Sequence, residues 1–117
     1  MEIIETNGVS IAELQFDPLE IRTAQDALDL LANCMYQGAD NLIIHEKQLT
    51  PDFFELKTGL AGEILQKFSQ YGAQLAIIGD YTHYTSKSLR DFMYESNQVG
   101  RINFVATAEE AREKLAR

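Results

Sequence analysis

The stretch with the most chemical potential is Asp80-Tyr81-Thr82-His83-Tyr84-Thr85-Ser86-Lys87-Ser88. It follows a run that reads as a buried strand and precedes one that reads as a helix. The free N–H groups and positive dipole end of that helix would lie beside hydroxyls and Lys87. His45 and Glu46 end the preceding strand pattern, and parallel neighbours bring their C-terminal ends to one edge. His45, Asp80, Thr82, His83, Ser86 and Lys87 are therefore expected to converge, with Arg90 one turn into the helix. Such a group suits a small anionic ligand. The competing explanation is structural, because Ser and Thr cap helices and polar loops face water. The glycine pattern of a phosphate loop is missing.

Other chemistry is sparse. Two histidines and a single cysteine lack the ligand spacing of a metal site, so neither metal nor cofactor is expected. Cys34 follows Leu31 by three residues on an apolar stripe, which predicts a buried, inert thiol. No Gly-x-Ser-x-Gly elbow occurs, and no carboxylate pair has spacing that marks acid–base work. An enzyme would have to use His45 or His83 as its proton carrier. Nothing else in the sequence asks for an enzyme.

The elements that would position these groups are legible. Glu2 to Thr6 and Val9 to Gln15 flank Asn7-Gly8, a strong hairpin signal because both turn positions need positive φ. Thr23 and Asp26 form a capping box for a helix carrying Ala24, Ala27, Leu28, Leu31 and Met35, stopped by Gly38. Asn41 to His45 reads as a buried strand. Thr50-Pro51-Asp52 starts a helix whose stripe of Phe53, Leu56, Leu60, Ile64 and Phe68 runs past Gly59 to about Tyr71. Gln74 to Gly79 and Arg101 to Ala106 are further strands. Ser86 or Ser88 opens one helix, and Thr107 with Glu110 caps the last. Gly59 and Gly62 offer a small-residue surface for close packing, within the chain or against a second one, and Tyr94 leans away from its helix's apolar side.

Only one alternating set of the later strands is wholly apolar: Leu42 and Ile44, Leu75 and Ile77, Ile102 and Phe104. The opposite set mixes Ile43 with His45, Ala76 with Ile78, and Val105 with Arg101 and Asn103. Right-handed crossovers between neighbouring strands put their helices on one side. Consecutive strand order, one helical layer and a partly open reverse face follow as expectations. That order supplies no reversal point at which ligand crevices of open sheets form.

The 117 residues make one domain, 1–117, with a net charge of −8. Residues 1–63 carry three Lys or Arg against twelve Asp or Glu, a net of −9, whereas residues 64–117 net +1. Such an acidic chain repels a phosphate backbone, so no nucleic-acid partner is expected. The apolar runs are too short to span a bilayer, the N-terminus is acidic rather than signal-like, and a lone cysteine suits a reducing compartment. A cytoplasmic location and no membrane partner are expected.

Four blocks resemble a known family: DALDLLANCMYQGAD (26–40), LTPDFFELKTGLAGEILQKF (49–68), AIIGDYTHYTSKSLRDFMYESN (76–97) and INFVAT (102–107). Together they resemble the bacterial family named domain of unknown function 4180, over nearly the whole chain. That resemblance implies no activity. The element order alone is similar to STAS domains of anti-sigma-factor antagonists. That order, read from the elements above, is β-β-α-β-α-β-α-β-α, an α/β fold with an N-terminal hairpin, a mixed, mostly parallel five-stranded sheet and helices mainly on one face, and the resemblance supports it. In those domains a phosphorylatable Ser or Thr lies between the third strand and second helix. Here Thr50 is in that neighbourhood, but the surrounding Asp-Ser-Ser-Gly-like motif is absent.

Three functions compete. The first is a non-catalytic, STAS-like interaction or regulatory module that self-associates or docks on a protein partner through the open sheet face and helix ends. The second is a small-ligand or anion sensor using the 80–90 loop. The third is a small enzyme acting there.

Overall fold

The computed structural model describes all residues, Met1–Arg117. Strands β1 (Glu2–Thr6) and β2 (Val9–Glu13) form the opening hairpin, paired antiparallel from Glu2↔Glu13 to Thr6↔Val9. Asn7 and Gly8 take φ of 53° and 79°, as a two-residue turn matched to strand twist demands. Then follow α1 (Ala24–Tyr36), β3 (Asn41–His45), α2 (Leu60–Gln70), β4 (Gln74–Ile78), α3 (Lys87–Val99), β5 (Ile102–Val105) and α4 (Ala108–Leu115). The sheet has the consecutive order β1-β2-β3-β4-β5, parallel from β2 onward.

The main core lies on the expected face. Ala12, Leu42, Ile44, Leu75, Ile77, Ile102 and Phe104 meet Leu31 and Cys34 of α1, Ile64 and Phe68 of α2, and Leu89 and Met93 of α3. Full burial of each larger side chain contributes about 1.5–3 kcal/mol. The Thr23–Asp26 capping box and the Thr107 cap form as their spacing predicts. No helix is long and apolar enough to cross a membrane.

Two expectations are corrected. The reverse face is not left open, because α4 lies across it. Ala111 and Leu115 pack with Ile11, Ile43, Ala76, Ile78 and Val105 in a second core. Helix α4 follows the last strand and belongs to no crossover, so the handedness rule does not fix its side. The mixed composition suffices there because its one buried polar member is satisfied: Asn103, 2% exposed, donates to the Leu75 and Gly100 carbonyls. Glu13 and Arg112 form a bidentate ion pair that fastens α4 to β2.

The continuous helix from Pro51 to Tyr71 is likewise broken. Residues Pro51–Phe54 and Leu56–Thr58 form 3-10 turns, and α2 begins only at Leu60. Gly59 sits at φ 80°, outside the helical region, so it is the break itself. The Thr58 hydroxyl reaches the Asp52 and Glu55 carbonyls and draws the turns together. This winding lets adjacent Phe53 and Phe54 both be buried. Gly62 has open space around it and supports no close approach.

Candidate functional site

Parallel pairing of β3 with β4 sets His45 beside Ile78, so the segments following both strands emerge at one edge. Two adjoining hollows lie there. The larger, of about 780 Å³, is lined by His45, Glu46, Lys47, Asp80, Thr82 and Arg90 over Ile78, Gly79, Tyr81 and Ala106. The smaller, of about 500 Å³, shares Glu46 and Lys47 and adds Glu20, Thr50, Phe54, His83 and Tyr84. Their common wall is Glu46 with Lys47.

Glu46 is held from the opposite strand end. Its Oε1 accepts the Asp80 N–H at 2.9 Å, and its Oε2 accepts the Tyr84 hydroxyl at 3.4 Å. Gly79 makes room for it, since a Cβ at that position would stand 2.6 Å from the Glu46 Cδ. Asp80 turns inward on its own loop, accepting the Thr82 N–H at 3.0 Å and the Thr82 hydroxyl at 2.7 Å. The Thr82 hydroxyl, followed by its N–H, holds the Asp80 carboxyl below its ordinary range.

The aromatic groups form a wall rather than a set of bases. Tyr84 stacks on Phe54 with ring centroids 4.8 Å apart, and His83 lies over Tyr84 at 4.1 Å. The Tyr81 hydroxyl donates to the Ile77 carbonyl, and burial pushes its phenol upward. Burial, then the neighbouring Glu46 charge, pushes Tyr84 up to about 12. Both phenols therefore stay protonated near neutral pH and act as donors.

Four of the seven residues expected to converge, His45, Asp80, Thr82 and Arg90, line the larger hollow, and His83 lines its neighbour. Ser86 and Lys87 line neither. Ser86 caps α3 by accepting the Leu89 N–H, and Lys87 pairs with Asp91 at 2.7 Å on the exposed helix surface. Thr50 lines the smaller hollow, half-buried, with its side chain making no cap to the following turn. His45 is anchored by its own loop: its Nδ1 accepts the Lys47 N–H at 3.1 Å, and its N–H donates to Gln48.

Lys47 and Gln48 shape the edge without a sequence signal that singles them out, whereas Glu46 and Tyr84 stand in the stretches read for chemistry without belonging to the candidate group. Gln48, 7% exposed, donates to the Leu14 and Asp17 carbonyls and ties the β2 exit loop to this turn. A glutamine in a charged stretch reads as surface. Gly79 carried a usable hint, as a glycine closing an apolar strand where the backbone needs no positive φ.

No group of three or more His, Cys, Asp or Glu comes together as a metal-ion cage. Cys34 is buried, and burial raises its thiol to about 11, so it stays a thiol.

Residues 6–115 match the family model described as Domain of unknown function (DUF4180). No curated protein matches the chain. With nearly its full length covered, the chain belongs to the domain of unknown function 4180 family.

Proposed function

We propose that this family member is a non-catalytic, STAS-like regulatory module that docks a protein partner through the C-terminal edge of its sheet. The carrying observation is the pair of adjoining hollows, which make one continuous surface of charged loops and stacked rings around Glu46. With α4 across the reverse face, that edge replaces the sheet face as the docking surface. A different protein is favoured over a second copy, since every copy carries a net charge of −8. A non-catalytic role is supported by the histidines, which line different hollows, and by the carboxylates, which serve the loops.

Phosphorylation of Thr50 is the switch this reading admits. A phosphate there would share its hollow with Glu20 and Glu46, and repulsion would loosen the edge. Intact mass of the protein isolated from a bacterial host tests for it.

Affinity capture tests the docking reading. Wild type, Lys47→Glu and Arg117→Glu are used as baits in parallel. A partner lost with Lys47→Glu and kept with Arg117→Glu supports the edge. A partner kept equally by all three, or none retained by any, contradicts it.

A further inference from the structure

We infer that the larger hollow is a binding site for a small oxyanion carried on an apolar body, gripped by Lys47, Arg90 and His45. The inference goes beyond protein docking, although both use the same edge. The charged groups of this hollow are unevenly engaged. Its two carboxylates already have partners: Glu46 holds the Asp80 N–H, and Asp80 holds the Thr82 N–H and hydroxyl. Neither pairs with Lys47 or Arg90.

The chain has 18 acidic and 10 basic residues, so carboxylates outnumber the cations available to them. Arg22, Lys57, Lys87 and Arg112 each find a carboxylate within 4.0 Å, whereas Lys47 and Arg90, like Lys67, Arg101, Lys114 and Arg117, find none; Lys47 and Arg90 are the two of these that line this hollow. The donors are also oriented. Arg90 Nε donates to the Tyr84 carbonyl at 3.2 Å, which steadies the guanidinium and leaves its two terminal nitrogens free for a fork-like grip. His45 Nδ1 accepts the Lys47 N–H, so the neutral ring carries its proton on Nε2, a third donor. Ile78, the Tyr81 ring and Ala106 supply an apolar floor. The Tyr81 hydroxyl is turned to the Ile77 carbonyl, so Tyr81 offers the hollow a ring.

The volume of about 780 Å³ falls within the range of small-molecule sites. The ligand class is an organic phosphate or carboxylate with an aryl or alkyl body. The long-range field of a chain at −8 disfavours a polyanion, whereas one local oxyanion meets two cations without carboxylate partners.

The test is an NMR titration with phenyl phosphate, benzoate and inorganic phosphate, following backbone amides. Amide shifts at His45 and Gly79 to Thr82 are expected, with phenyl phosphate or benzoate binding more tightly than inorganic phosphate. The comparison of the first two separates phosphate from carboxylate preference. Lys47→Gln and Arg90→Lys should each weaken binding about tenfold, the scale of one charged hydrogen bond. Lys87→Gln, outside the hollow, should leave it unchanged. Lys47 makes no side-chain bond that the fold uses, so its variant remains readable if Arg90→Lys misfolds. Absence of shifts with every probe at about 10 mM, weaker than any useful site, overturns the inference. So does binding that survives Lys47→Gln unchanged. Probe binding without partner capture would sink docking alone; capture without probe binding would sink the oxyanion site alone.

Discussion

The Glu46 carboxyl group occupies the space that a Cβ at residue 79 would need, so Gly79 and Glu46 are sterically paired across two neighbouring strand ends. Through that pair the turn after β3 grips the loop after β4 by the Asp80 N–H. The edge keeps its shape because one strand end lacks a side chain and the other fills the gap.

Gly79→Ala should displace the Glu46 carboxylate and cost about 1.5–3 kcal/mol, the worth of a charged hydrogen bond. The backbone accepts alanine there, since φ is not positive. Urea denaturation should show Glu46→Ala and the Gly79→Ala/Glu46→Ala double variant nearly equal in stability. Simple additivity would disprove the steric coupling.

The Glu13–Arg112 clamp predicts a pH dependence. The Arg112 hydrogen bonds, then its charge, hold the Glu13 carboxyl below its ordinary value of 4.5. A carboxyl lowered on folding stabilises the protein above its unfolded value, and that contribution fades as pH falls through the folded value. Arg112→Met should therefore cost about 1–2 kcal/mol at pH 7 and flatten stability below pH 4.5. Parallel curves for wild type and variant below that pH would contradict the assignment.

Asn97 seals the outer edge of β5. Its carboxamide accepts the Phe104 N–H at 2.7 Å and donates to the Phe104 carbonyl at 3.2 Å, copying a neighbouring strand. Asn97→Ala should speed amide exchange at Phe104 about tenfold or more and promote association through that edge. Unchanged Phe104 protection would show that the carboxamide does not guard it.

Gln48 uses its whole carboxamide, with Oε1 accepting the His45 N–H at 2.7 Å and Nε2 reaching two carbonyls. Gln48→Glu would turn a carboxylate toward those carbonyls, and a loss of about 2–4 kcal/mol is expected on thermal unfolding. Wild-type stability would mean the loop is held by other contacts.

Local signals carried much of this architecture. Asn7-Gly8, the Thr23–Asp26 box and the alternating Leu42/Ile44, Leu75/Ile77 and Ile102/Phe104 pairs each have a short-range cause, and consecutive strand order followed from that one-sided apolar pattern taken with crossover handedness. The misses are tertiary. Helix α4 lies outside any crossover, so its side depends on Leu115 and Ala111 finding Ile43, Ala76 and Val105. The apolar stripe through Gly59 matched a helix, but the αL glycine and the joint burial of Phe53 and Phe54 decided otherwise. At the edge, His45, Asp80, Thr82 and Arg90 could be grouped from strand direction alone. Ser86 and Lys87 could not be separated from them, because a cap and an i,i+4 pair exist in sequence whether or not they face the hollow.

The most direct measurement places a photo-reactive side chain at Thr82 in one variant and at Glu113, exposed on α4, in another, and compares cross-linking in bacterial cells. Docking at the strand ends predicts a discrete adduct from position 82 that disappears with Lys47→Glu, and none from position 113. An adduct formed from 113 but not from 82 would put the partner on the α4 side and refute the account.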